Sequence, residues 1–192
     1  MKKPKHNRRR NSLRLRSWDY THPGWYFITI TTKDRRPFLG SVNDDRVQLS
    51  PIGRIVEEEW KKLPSIRTRL RIDEWVIMPN HIHGIPILER DFPRASRWDT
   101  PTKARLKAGS LGAIVNHFKS NCTKRIRVAG FSEFKWQRGY FDHIIRNDDD
   151  LHRIRQYIRF NPWKSSLEMR HLQEGKVQPE NGERNNSKIK YT

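Results

Sequence analysis

His81 and His83 are separated by one residue in a segment that reads as a β-strand. Side chains alternate along a strand, so both imidazoles project from one face and converge on a point where an ion could sit. A His-X-His triplet also arises by chance as ordinary polar positions, and spacing alone does not separate the two readings. Tyr157 and Asn161 stand four apart near the end of a helical segment, where one helix face carries both side chains. Such a tyrosine is either part of the core stripe formed with Ile154 and Ile158 or a phenol nucleophile. A tyrosine beside a core stripe is usually core; Arg153, Arg155 and Arg159 bring the second reading into play without deciding it, because cations around a phenol would lower its pKa and attract a phosphate.

The elements that must position these residues are legible in outline. Trp25 to Thr32 is aromatic and β-branched throughout, follows a Pro-Gly pair and reads as a buried strand. Ser50 and Pro51 open a helix whose apolar positions Ile52, Ile55, Val56, Trp60 and Leu63 recur at helical spacing, with Pro64 as its expected stop. Arg71 to Leu88 reads as two strands joined at Met78-Pro79-Asn80, and Pro86 suggests that the second strand ends, bulges or lies at an edge there. Glu89 to Gly109 reads as a loop. A second helix is expected from about Leu111 to Arg127, with Leu111, Ile114, Val115, Phe118 and Cys122 inward and Lys119, Lys124 and Arg125 outside. Phe141 to Ile145 suggests a short strand. A last helix is capped by Asn147, carries three aspartates in its first turn, turns Leu151, Ile154 and Ile158 inward and is expected to stop at Pro162. This order predicts an α+β fold: a ferredoxin/RRM-like antiparallel sheet with helices packed on one face, plus a C-terminal helix carrying the tyrosine.

Composition narrows the partner. The chain of 192 residues has 40 Lys and Arg against 21 Asp and Glu, a formal charge of +19, which points to a polyanion. Eight of those cations fall within the first 16 residues, including Lys2, Lys3, Lys5, Arg8, Arg9 and Arg10, so residues 1–17 read as a flexible basic arm for phosphate contact. Residues 18–169 form the expected single domain, and 170–192 have the composition of a disordered tail. The single cysteine, Cys122, excludes an internal disulfide and any multi-cysteine zinc site. There is no run of about 20 apolar residues and no signal-like segment, so no membrane association and a soluble, intracellular protein are expected.

Three ordered segments carry a family resemblance: Val76-Ile-Met-Pro-Asn-His-Ile-His-Gly84, Trp136-Gln-Arg-Gly-Tyr-Phe-Asp-His-Ile-Ile-Arg146 and Tyr157-Ile-Arg-Phe-Asn-Pro162. Together with Asp19-Tyr20, the Pro23-Gly-Trp-Tyr-Phe-Ile-Thr run and Glu57-Glu-Glu-Trp60, they resemble the REP-associated tyrosine transposases. These are relatives of the single-tyrosine insertion-sequence transposases in the His-hydrophobic-His nuclease superfamily. The resemblance implies Tyr157 as nucleophile and His81, His83 and Asn161 as ligands of Mg2+ or Mn2+. It further implies single-stranded or hairpin DNA as partner and a covalent 5′-phosphotyrosine intermediate. A cytoplasmic, nucleoid-associated protein, as monomer or homodimer, would follow. Arg138 and Arg146 are expected to contact phosphate or stabilise the fold. Pro86 and Trp163-Lys-Ser-Ser depart mildly from the family pattern. His143 and His152 read more readily as structural histidines. A non-catalytic RRM-like nucleic-acid-binding module is the competing class, but it leaves the histidines and Tyr157 unexplained. A histidine-triad hydrolase would need a histidine where Ile85 stands.

Overall fold

The computed structural model describes residues 18–90 and 109–173, with side chains to residue 167. The basic arm, most of the expected loop after Leu88 and the end of the chain lie outside the described residues. The elements are β1 (Gly24–Thr31), β2 (Gly40–Asn43), β3 (Arg46–Leu49), α1 (Pro51–Ile66), β4 (Leu70–Met78), β5 (His81–Leu88), α2 (Leu111–Val128), β6 (Phe141–Ile145) and α3 (Asp148–Gln173). Four strands form one antiparallel sheet in the order β4-β5-β1-β6, the ferredoxin-like arrangement that the strand and helix pattern predicts.

Both faces of the sheet are covered, which is why β1 and β5 read as continuous apolar runs and not as alternating ones. Tyr26, Ile28, Ile30, Ile82 and Leu88 join the larger core with Val56, Trp60 and Leu63 of α1 and Leu111, Val115, Phe118 and Cys122 of α2. Phe27 and Ile85 face the other way and meet Leu151, Ile154 and Ile158 of α3. So α1 and α2 share one face, and the tyrosine helix takes the opposite face. His81 and His83 have the same parity as Ile85 and therefore lie under α3. Gly84, between His83 and Ile85, turns to the larger core, where Trp60 leaves no room: a Cβ there would stand 2.5 Å from Cζ2 of that ring.

The structure departs from the sequence reading at both helix-stopping prolines. α1 runs two residues past Pro64, and α3 runs from Asp148 through Pro162 to Gln173. Proline removes one backbone donor and crowds the preceding turn, so a helix crosses it only when packing offsets the cost. In α3 that packing is visible: Asn161 and Ser166 are buried, and the helix contacts the β2–β3 hairpin. The hairpin itself, turning through Asp44 and Asp45 with positive φ, escaped the sequence reading. Pro86 neither ends its strand nor lies at an edge, because β5 is flanked by β4 and β1. It borders a bulge. Ile72 pairs with Pro86 and Trp75 with Gly84, so Asp73 and Glu74 together oppose Ile85.

Candidate active site

The N-terminal end of β5 and the third turn of α3 meet over the sheet. Nε2 of His81 lies 3.0 Å from Nε2 of His83, and the Tyr157 hydroxyl lies 3.3 Å from the same His83 nitrogen. The three residues converge although Tyr157 is 74 positions from His83 in the chain. Phe27 braces them, stacked on His83 at 5.3 Å between centroids and edge-on to Tyr157 at 6.0 Å. His83 is buried, whereas Tyr157 is 37% exposed, so the phenol is the part of the cluster open to a large substrate.

Each imidazole is oriented from its far side. Nδ1 of His81 lies 2.6 Å from the Asn80 amide oxygen, which can only accept, so His81 carries its proton there and presents a lone pair at Nε2. Nδ1 of His83 lies 2.9 Å from the Thr29 hydroxyl, which both donates and accepts and so suits either tautomer. Burial is the main cause that pushes His81 down to about 4, with Arg35 adding repulsion. Burial, and then His81, hold His83 well below 6.5. Both rings are therefore neutral near pH 7, the form that binds metal.

The donor set fits a divalent ion. Two ligands about 2.1 Å from one ion and at right angles to each other are about 3.0 Å apart, the separation of the two Nε2 atoms. Among the described residues no group of three His, Cys, Asp or Glu stands together, so a third protein donor would have to be of another type. Asn161 carries a side-chain amide. It is buried one turn beyond Tyr157 on the same face of α3, though no hydrogen bond joins it to either imidazole among the described residues.

The arginines near Tyr157 are arranged differently from the expectation. Arg155 holds Asp73, Arg159 holds Glu74, and Arg153 approaches Asp150 at 3.6 Å. Residues two away on a helix point to the other side, so Arg155 and Arg159 reach the bulge of β4 and are not ranged around the phenol. Arg125 is likewise engaged, by Glu58 and Glu59, and Lys119 donates to the carbonyls of Gln137 and Gly139. Arg138 and Arg146 are exposed. His143 binds the buried Asp150 in the first turn of α3, at 2.8 Å, and His152 lies 3.0 Å from the Gln156 amide. Lys2, Lys3, Lys5, Arg8, Arg9 and Arg10 lie outside the described residues.

Sequence reasoning missed Thr29, Asn80, Asp73 and Glu74. Thr29 had a signal, a polar residue inside an apolar run at the parity of Phe27, but the run was read as uniformly buried. Asp73 and Glu74 had none, since the bulge that aims both of them at α3 is a property of strand pairing.

No family model matches the chain. It is 36% identical over 159 residues to an uncharacterized protein of Haemophilus influenzae, covering 80% of this chain and 88% of that one, and belongs to one family with it. It is 27% identical over 146 residues to a REP-associated tyrosine transposase of Escherichia coli K12, covering 76% and 70%. The solved structure of a REP-associated tyrosine transposase bound to a REP hairpin has the same fold, with a TM-score of 0.54 and 22% identity over 80% of this chain and 74% of that one.

Proposed function

Since the chain is a relative of the REP-associated tyrosine transposases, we propose that it is a single-strand DNA endonuclease and strand transferase that uses Tyr157 as its nucleophile. The observation that carries this reading is the convergence of an accessible phenol on two neutral, oriented imidazoles. A merely structural tyrosine would not need that arrangement, and a non-catalytic binding module would not need either histidine.

His81, His83 and Asn161 would hold a magnesium or manganese ion. When bound there, it supplies Lewis-acid polarisation of a non-bridging oxygen of the scissile phosphate. The chain does the rest. Phe27 and the α3 backbone hold the phenol over the site, and its exposure lets its proton pass to solvent water. The Tyr157 oxygen bonds to phosphorus as the bond from phosphorus to the 3′ oxygen breaks, and that oxygen leaves as a hydroxyl after taking a proton. The product is a 5′-phosphotyrosine and a free 3′ end. Because the phosphodiester energy is kept in this ester, a second 3′-hydroxyl can reverse the step and join strands without ATP. Hairpin-containing or repeat DNA is the proposed substrate, the relative of known structure being bound to a REP hairpin. The basic arm would add phosphate contacts outside the chemistry. No helix among the described residues is long and apolar enough to cross a membrane.

The test is Tyr157→Phe, which removes only the hydroxyl. Cleavage of single-stranded hairpin DNA in the presence of Mn2+ is expected to vanish while DNA affinity stays within about threefold. Cleavage by the variant at the native rate rejects the reading.

A further inference from the structure

Many cations of the folded surface are paired. Arg71 binds Glu89, Arg125 binds Glu58 and Glu59, Arg155 binds Asp73, and Lys61 binds Glu57. One region is different. An open groove of about 860 Å³ between α2 and the segment leading to β6 is lined by Lys33, Lys119, Lys124, Arg127, Lys135 and Arg138 and by no carboxylate. Lys119 is committed to the groove wall through the Gln137 and Gly139 carbonyls. Lys124, Arg127, Lys135 and Arg138 are exposed and make no ion pair among the described residues. Like charges gathered without counter-charge repel one another, and a polyanion laid along them relieves that repulsion.

The groove is tied to the catalytic end of the sheet. The Lys33 amide donates to the Lys135 carbonyl and the Gln137 amide to the Thr31 carbonyl, both at 2.8 Å, and Thr31 pairs with His81. Two residues past Gly139 stands Phe141, 42% exposed and paired opposite Thr29, the partner of His83. Its ring meets Phe27 edge-on at 6.3 Å, and Phe27 in turn meets Tyr157. The segment that walls the groove therefore leads straight into β6, the edge strand, where Phe141 stands with Phe27 on the face that carries the phenol, so a DNA strand leaving the groove reaches Tyr157 round that edge. A flat exposed ring beside a phosphate-binding track suits an unpaired base, which a duplex would not offer.

From this surface we infer that the groove binds the sugar-phosphate backbone of a single DNA strand continuing from the scissile phosphate, with one base of that strand stacked on Phe141. The inference rests on DNA being the substrate.

Binding is measured on Tyr157→Phe protein, which holds DNA without cutting it, by fluorescence anisotropy of a labelled single strand across a salt series. Each phosphate contact on single-stranded DNA contributes about −0.7 to the slope of log affinity against log salt. Replacing Lys124, Arg127, Lys135 and Arg138 with Gln is expected to flatten the slope by about 2 to 3 units, while the loss of two charges at Lys61, paired with Glu57, and Lys62, paired with Glu59, leaves it unchanged. Phe141→Ala is expected to weaken single-strand binding by about five- to a hundredfold, with Phe141→Trp restoring it and duplex binding unaffected. All four groove residues and Phe141 are exposed, and thermal unfolding checks that the variants remain folded. Equal slopes for parent and groove variant, or equal flattening per charge removed by the Lys61 and Lys62 variant, overturn the groove. Unchanged single-strand binding by Phe141→Ala overturns the path across the sheet. Failure of the parent to bind DNA at low salt would instead reject the substrate reading. Salt-dependent binding by the Tyr157→Phe protein, with no covalent adduct formed by the native protein, would reject the chemistry and leave the groove standing.

Discussion

Arg155 on α3 grips Asp73 at the bulge of β4 through two hydrogen bonds, 2.7 and 3.1 Å long. It lies two residues before the candidate nucleophile, and Arg159 repeats the contact with Glu74 two residues after it. Together the two pairs fix how far α3 sits along the sheet, and so where the phenol hangs. The expected effect of Asp73→Ala is a loss of about 1 kcal/mol in stability. Its effect on single-turnover cleavage should be larger, at least tenfold, with DNA affinity nearly unchanged. Urea unfolding and rapid-quench cleavage separate the two. A stability loss with a native cleavage rate would show that α3 keeps its place without the pair.

His81 and His83 are expected to act as a unit. Either substitution by Ala should remove Mn2+-dependent cleavage, and a chelator should reproduce the loss in the native protein. Equilibrium dialysis with Mn2+ alone gives a readout independent of turnover: both variants should bind the ion at least tenfold more weakly. Native ion binding by His83→Ala would place the metal elsewhere.

The buried imidazoles also couple stability to pH. In the unfolded chain both titrate near 6.5, while in the folded chain burial keeps His81 at about 4 and His83 well below 6.5. Between those values the unfolded state binds protons that the folded state refuses, so stability falls as pH drops from about 6.5 towards 4. His81→Gln removes one of these groups and should lose less stability than the native protein between about pH 7 and pH 5. Urea midpoints measured at both values check this, and identical losses contradict it.

Gly84 follows His83 and faces away from it, where a Cβ would meet the Trp60 ring at 2.5 Å. Gly84→Ala should destabilise the fold by about 1–3 kcal/mol through overpacking. It should also displace β5 enough to lower ion affinity. An unchanged melting temperature would mean that Trp60 yields without cost.

The succession of the four sheet strands and three helices along the chain was legible because hydrophobic period and turn chemistry are local signals. Val76 to Gly84, with Pro79-Asn80 between two apolar runs, could scarcely read otherwise. The placement of α3 was legible only in part. Leu151, Ile154 and Ile158 announce a buried stripe, but not that the stripe covers the face opposite α1 and α2. Pro162 signals a stop that packing of Asn161 and Ser166 overrides. At the site, strand parity put His81 and His83 together. The partners that orient them, Asn80 and Thr29, depend on which strands are neighbours, and the ion pairs of Arg155 and Arg159 depend on a bulge that a central proline accompanies. Long-range pairing of this kind leaves little trace in one sequence.

In the proposed reaction the Tyr157 oxygen becomes bonded to DNA phosphorus. Incubating the protein with a 3′-labelled single-stranded hairpin substrate and Mn2+, denaturing it, and locating the modified peptide by mass spectrometry tests that directly. The expected result is a nucleotide adduct on the peptide containing Tyr157, absent from Tyr157→Phe and from chelated samples. Cleaved DNA with no protein adduct, or an adduct on another residue, would contradict the account.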